Sequence, residues 1–153
     1  MMKKIKIQDL VLGLVNGIEV NIPTGSEAYK ETYFEWSANP LVARMASNEI
    51  SGGTLRAWHH LPVFKEVETH VEAEMFYFVS GIALMLFADI RNGQPDMGTV
   101  QIVRVQPGTQ IVIPAGKAHF VPVAESTEPV NIIVVSPKVD APRLSLEISV
   151  QGV

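Results

Sequence analysis

Residues 108–119 read Gly108-Thr-Gln-Ile-Val-Ile-Pro114-Ala-Gly116-Lys-Ala-His119, the order of a short β-strand, a tight turn and the start of a second strand. Gln110–Ile113 carries three consecutive β-branched residues, which suit a pleated, half-buried surface. Pro114 ends that run because proline donates nothing to a ladder, and Gly116 supplies the freedom a tight turn needs. His119 then opens the next apolar run, so its imidazole is carried at the end of a strand.

The pattern continues in both directions. Apolar, β-branched-rich runs alternate with turn residues along nearly the whole chain, the signature of an all-β protein. The expected strands are Ile5–Ile7, Val11–Val15, Gly17–Asn21, Ala43–Ser47, Thr54–Leu61, Glu74–Val79, Ala83–Ile90, Val100–Val105, Gln110–Ile113, His119–Ala124, Asn131–Ser136 and Leu144–Val150. Turn signals between them are Asn16-Gly17, Gly52-Gly53, Arg91-Asn-Gly-Gln-Pro95-Asp96 and Pro107-Gly108. Residues 24–39 mix Gly, Ser, Tyr, Phe and Trp without periodicity, which fits a loop or short helix lying across a barrel mouth or on a partner. Many short, evenly spaced strands argue for a sandwich, barrel or jelly roll, which periodicity alone does not separate.

Composition sets the bounds. The 153 residues, 47% of them hydrophobic, are enough for one domain with its own core. The expectation is one domain over residues 1–153, with residues 1–50 packing on the barrel or on a partner. There is no cysteine, which removes disulfides, thiolate metal sites and cysteine nucleophiles. The net charge is −4, with Lys and Arg scattered, so the basic face used for nucleic acid is missing. The run Leu10–Val15 is too short for a secretory core, and no stretch reaches the ~20 apolar residues of a membrane span. A cytoplasmic protein is expected. An anionic substrate would be met locally, by Arg56, Lys65, Arg104 or Lys117, although Lys117 in its turn is expected to face solvent.

Candidate chemistry gathers at a few side chains. Glu68 and His70 are two apart, so they face the same way if their strand is regular. Glu74 heads the apolar strand Met75-Phe-Tyr-Phe-Val79, where a carboxylate is costly to bury unless paired. Two imidazoles with one or two carboxylates suit Zn, Fe, Mn, Ni or Co; the bland alternative is hydrogen-bonded residues at strand ends. Trp58 and His60 share one face of their expected strand, and Phe76 and Phe78 share the parity of Glu74, so these four are candidate pocket walls.

The same residues carry a resemblance. Gly108, Pro114, Gly116 and His119 fit the second cupin motif, G-x5-P-x-G-x2-H. His70, Glu74 and Gly81 resemble the first, in which H-x-H is followed by Glu and, six residues on, Gly. Two positions depart from the pattern: Glu68 stands where the first histidine is expected, and Val123 where the second motif ends in asparagine. The resemblance implies a small antiparallel β-barrel, a jelly roll or double-stranded β-helix. It also implies a divalent transition metal (Zn, Mn, Fe or Ni) on Glu68, His70, Glu74 and His119. A carboxylate for imidazole makes that site harder and more anionic, or leaves Glu68 as a base.

A narrower likeness is to the ureidoglycolate lyase family. It rests on Glu68-x-His70, Phe76-Tyr-Phe-Val-Ser-Gly81, Pro95-Asp96-Met-Gly-Thr99 and Gly108-Thr-Gln110, with His119 in the last strand. It implies elimination of urea from ureidoglycolate to give glyoxylate, with His70, Glu74 and His119 holding a metal or the substrate and Glu68 moving a proton, so that Glu68 and His119 are the candidate catalytic residues. The expected function is a small-molecule cupin enzyme acting on a small organic acid; the alternative is a non-catalytic ligand-binding or sensing module. A homodimer is expected, with Tyr29 to Trp36 suited to its interface.

Overall fold

The computed structural model describes residues 1–24, 28–138 and 140–153. Among the described residues there is no helix, and none therefore that is long and apolar enough to cross a membrane. The first strands are β1 (Lys3–Ile5), β2 (Ile7–Asp9), β3 (Glu19–Asn21), β4 (Tyr29–Lys30), β5 (Glu35–Trp36) and β6 (Ile50–Ala57). Then come β7 (Val63–Glu68), β8 (Glu74–Ser80), β9 (Ala83–Ala88), β10 (Ile90–Arg91), β11 (Gln94–Pro95) and β12 (Gln101–Val105). The last are β13 (Gln110–Ile113), β14 (Ala118–His119), β15 (Val123–Ala124), β16 (Val130–Pro137) and β17 (Arg143–Gly152).

Two sheets carry the architecture. One has five strands in the order β3-β13-β8-β16-β6; the other runs β1-β17-β7-β14-β9-β12-β2, with β15 also pairing β9. Strands β1 and β2 stand at opposite ends of the second order, yet only Lys6 separates them in the chain. The larger sheet therefore curls round and nearly closes on itself. Both closing pairs, β1 with β17 and β2 with β12, are parallel, so the barrel is mixed where an antiparallel one was expected.

This arrangement makes two cores, and β9 serves both. Ala83, Met85 and Phe87 join Phe76, Phe78, Ile111, Ile113 and Ile132 in the core between the sheets. Leu84, Leu86 and Ala88 join Phe64, Val67, Ile102 and Val150 in a second core drawn from the larger sheet. Alternation along the strand sends successive side chains to opposite faces, so a strand apolar at every position, as Ala-Leu-Met-Leu-Phe-Ala is, needs cover on both. Burying each of these large side chains contributes roughly 1.5–3 kcal/mol.

Several expectations give way to the structure. Residues 11–15 form turns rather than a strand, because Gly13 and Gly17 take φ of 78° and 84° and Leu10 and Val15 plug the central core. Residues 43–47 are not a strand either: the N–H groups of Ala46 and Ser47 donate to the Glu72 carboxylate. Gly52-Gly53 lies inside β6, where a Cβ on Gly52 would sit 2.0 Å from the Val134 carbonyl oxygen. Strand β6 ends at Ala57, so Trp58 and His60 are in a loop, with His59 making a single bridge to Ala124. Pro122 and its neighbours split the expected 119–124 strand into β14 and β15. Strand β7, whose Val-Phe-Lys-Glu-Val-Glu alternates poorly, ends at Glu68, so the regular strand expected through His70 does not form. In residues 24–39 a small β4–β5 hairpin forms; positions 25–27 lie outside the described residues.

Candidate metal centre

The site stands where the two sheets face each other. The larger sheet brings Glu68 at the end of β7 and His119 on β14, which are direct cross-strand partners. The five-stranded sheet brings Glu74, the first residue of β8, opposite Ile113 on β13. His70 belongs to the loop between β7 and β8, so it reaches the cluster from a loop and not from a regular strand. That loop is pinned to the turn after β13 by a hydrogen bond from the Gly116 N–H to the His70 carbonyl, 2.8 Å.

The four side chains converge. Glu74 Oε2 lies 3.0 Å from Nε2 of both His70 and His119, and Glu68 Oε1 lies 3.8 Å from His119 Nε2. One ligand atom from each of Glu68, His70 and His119 falls within 4.8 Å of the others. The imidazole rings are 5.2 Å apart, centroid to centroid, and Phe76 meets His119 edge-on at 6.0 Å. Phe78 packs behind Phe76, at 6.3 Å, and belongs to the core. His119 and Glu74 are buried, at 1% and 9% side-chain exposure, while Glu68 is 18% exposed.

Charge and protons follow from that geometry. His119 Nδ1 donates to the Lys117 carbonyl, 3.1 Å away, which turns Nε2 toward the carboxylates. Burial by itself pushes the Glu74 carboxyl up, but the His119 and His70 imidazoles outweigh it and hold the group at about 2. His70 moves the other way: Glu74 raises it, burial opposes, and the charges of Glu74 and Glu68, with the Asp140 backbone, add to the rise. Although His70 Nε2 is 3.0 Å from Glu74, neither buried ring nitrogen makes an aligned hydrogen bond among the described residues. Buried polar atoms are rarely left so.

That orphaned imidazole tests whether the residues fit a cation, and they do. Two imidazole nitrogens and the Glu68 oxygen, close together and with one histidine tautomer fixed from behind, match a first-row divalent metal set, and Glu74 Oε2 lies against both imidazoles. Beside His70 opens a groove of about 620 Å3 lined by Thr69, Val71, Ile90, Ala115, Gly116 and Pro142, and among the described residues Thr69 Oγ1 is also buried without a hydrogen bond.

Other candidates lie elsewhere. Trp58 is 62% exposed beneath the Arg56 guanidinium, 5.9 Å from its ring, and His60 is exposed with Nδ1 on the Leu61 carbonyl. Arg104 is held between Asp9 and Glu125. Lys117, expected in solvent, is buried, its ammonium 2.6 Å from Asp89. The Lys117 carbonyl and the Glu72 tether were unreadable in sequence, since backbone acceptors carry no residue signature.

No protein-family model and no curated protein matches the chain. Among solved structures, RmlC from Streptococcus suis in complex with dTDP-D-xylose matches with a TM-score of 0.50 at 14% identity, over 88% of this chain and 71% of that one. Oxalate decarboxylase from Bacillus subtilis, studied for its Mn(II) centres, matches at 0.46 and 18% identity, over 64% of this chain. The match spans 24% of the oxalate decarboxylase chain. At this identity the likeness shows the fold: an all-β barrel of the cupin type.

Proposed function

We propose that this cupin-fold chain is a metal-dependent enzyme acting on a small organic acid, working in the cytoplasm as a homodimer. The observation that supports it is the pair of imidazoles and pair of carboxylates drawn from both sheets, with His70 buried and without an aligned hydrogen bond among the described residues. Glu68, His70, Glu74 and His119 would hold the cation. When bound, it supplies Lewis acidity toward a substrate carbonyl or carboxylate oxygen.

The chain's own groups do the rest. The Lys117 carbonyl keeps His119 Nε2 turned inward, and Phe76 walls the imidazole from water. Glu68 is the more exposed carboxylate of the pair and makes the longer contact, so it is the one able to move a proton. In an elimination of the ureidoglycolate type, Glu68 takes the substrate hydroxyl proton as the carbon–nitrogen bond breaks. It returns that proton to the departing urea nitrogen, leaving glyoxylate. The E-x-H segment supports this narrower reading. The groove beside His70 is the entry for substrate, with Val71, Ile90 and Pro142 as its apolar wall.

The second reading is a non-catalytic ligand-binding module, favoured by one feature: Glu74 already spans both imidazoles at 3.0 Å, which neutralises the cluster without a cation. Elemental analysis of protein purified without chelator decides between them. About one transition metal per chain, lost in His119→Ala with circular dichroism unchanged, together with glyoxylate release from ureidoglycolate, is the expected result. Absence of metal even after incubation with Mn(II), Fe(II), Zn(II) and Ni(II) overturns the enzyme reading. Metal without glyoxylate release removes only the lyase.

A further inference from the structure

The surface of the chain is out of proportion to its mass. It exposes 8898 Å2, whereas a compact monomer of 16.8 kDa exposes about 7,700 Å2. The excess of about 1,200 Å2 is larger than the about 800 Å2 that each partner contributes to a standard protein interface.

Two exposed apolar features stand out among the described residues. The outward face of the five-stranded sheet carries Tyr77, Val79 and Ile133 at 39%, 47% and 45% exposure. Ile133 lies directly between Tyr77 and Thr54 on the neighbouring strands, so these side chains form one patch. No outward residue of β8 or β16 is charged there, while Gln110 and Asn21 close the patch with polar side chains toward β3. That is the apolar centre and polar rim of an interface. The second feature is the β4–β5 hairpin, with Tyr33, Trp36 and Phe34 exposed at 84%, 64% and 42%. Its rings touch mainly one another, Tyr33 to Phe34 at 5.3 Å and Tyr29 to Phe34 at 5.9 Å. A two-stranded hairpin of this size is marginal in water without something to pack on.

The hairpin springs from the edge of the same sheet. The segments leading into and out of it, at Ile22 and Pro23 and at Ser37 and Pro40, line one groove with Asn21 and Gln110. Lys30 pairs with Glu35 at 3.4 Å while Glu31 accepts from the Tyr29 hydroxyl, leaving the hairpin one net negative charge, and the apolar strip of the face is flanked by exposed Arg56 on β6 and Glu19 on β3.

We propose that hairpin and sheet face are the two halves of one two-fold interface, each hairpin lying on the outward sheet face of a second copy of this chain. A two-fold interface uses the same patch twice and so requires both halves on one chain; this chain has both, uncovered. The assignment deepens the homodimer reading above and rests on it.

Size-exclusion with light scattering on the full chain tests it. The wild type runs as a dimer. Ile133→Lys on the face, and Tyr33→Ser with Trp36→Ser on the hairpin, each weaken dimerisation about a hundredfold, the scale of losing hot-spot side chains. Circular dichroism stays unchanged in both. Mixing the two variants restores a dimer, because each supplies the half the other lacks. A monomeric wild type overturns both this assignment and the homodimer. A dimer that survives both sets of substitutions leaves the homodimer standing and overturns the assignment, as does failure of the mixture to reassociate.

Discussion

Glu74 is the residue on which the candidate site turns. It leads a strand, so its backbone is paired with Ile113 of β13, and its Oε2 reaches both imidazoles. Removing it leaves two buried imidazoles that need another partner. Glu74→Gln is therefore expected to cut metal content at least tenfold, read by elemental analysis, with the fold retained by circular dichroism. The pH profile of the metal-free protein follows from the same contacts. Glu74 is lowered from 4.5 to about 2, so its stabilisation is present above pH 4.5 and disappears as pH falls toward 2. His70 is raised above 6.5, so its stabilisation is full below 6.5 and is lost as pH climbs through the raised value. Urea midpoints measured across pH should thus peak on the acid side of neutrality, and the peak should flatten in Glu74→Gln. A profile identical in the two proteins would show that the cluster does not stabilise the fold.

At the scale of elements, two strands and a turn hold the site in place. Strand β9 lies against β14, with Phe87 opposite His119 and fully buried. Phe87→Ala is expected to cost about 3–5 kcal/mol in equilibrium unfolding, the usual range for a buried aromatic, and to loosen His119 with it. A loss under 1 kcal/mol would mean the core refills the gap. Gly81 turns β8 into β9 with φ of 75°, and a Cβ there would lie 2.5 Å from the Pro129 carbonyl oxygen. Gly81→Ala should therefore destabilise by about 2–4 kcal/mol, combining left-handed strain with a backbone clash. Gly108→Ala is the control: φ is 87° but nothing lies within 4 Å of its Cβ, so only the strain of about 1–2 kcal/mol applies.

For the whole molecule, the notable device is the closure of the larger sheet by nine N-terminal residues. Parallel strands β1 and β2 span from C-terminal β17 to β12, and Ile5 and Ile7 pack on the second core. Deleting residues 1–9 opens the curl at two ladders at once. The expected outcome is a lower melting temperature with binding of a hydrophobic dye, while the metal uptake proposed for His119 and Glu74, at the other core, is retained. Loss of metal together with fold would instead show that the two cores unfold as one unit.

The sequence by itself determined the strand-rich class, the β13–turn–β14 unit with its histidine, and the four chemical groups. Those are local matters: alternation, proline and glycine placement, and residue type act within a few positions. Glu68 and His70 were legible as a pair, although the regular strand assumed for them stops at Glu68. Only the tertiary structure decided that Glu74 bridges both imidazoles, that Lys117 turns inward to Asp89, that Trp58 and His60 sit at the surface, and that the first nine residues close a barrel. Each depends on partners tens of residues away. Burial and distance between such partners arise from the packing of two sheets, and no local pattern encodes them.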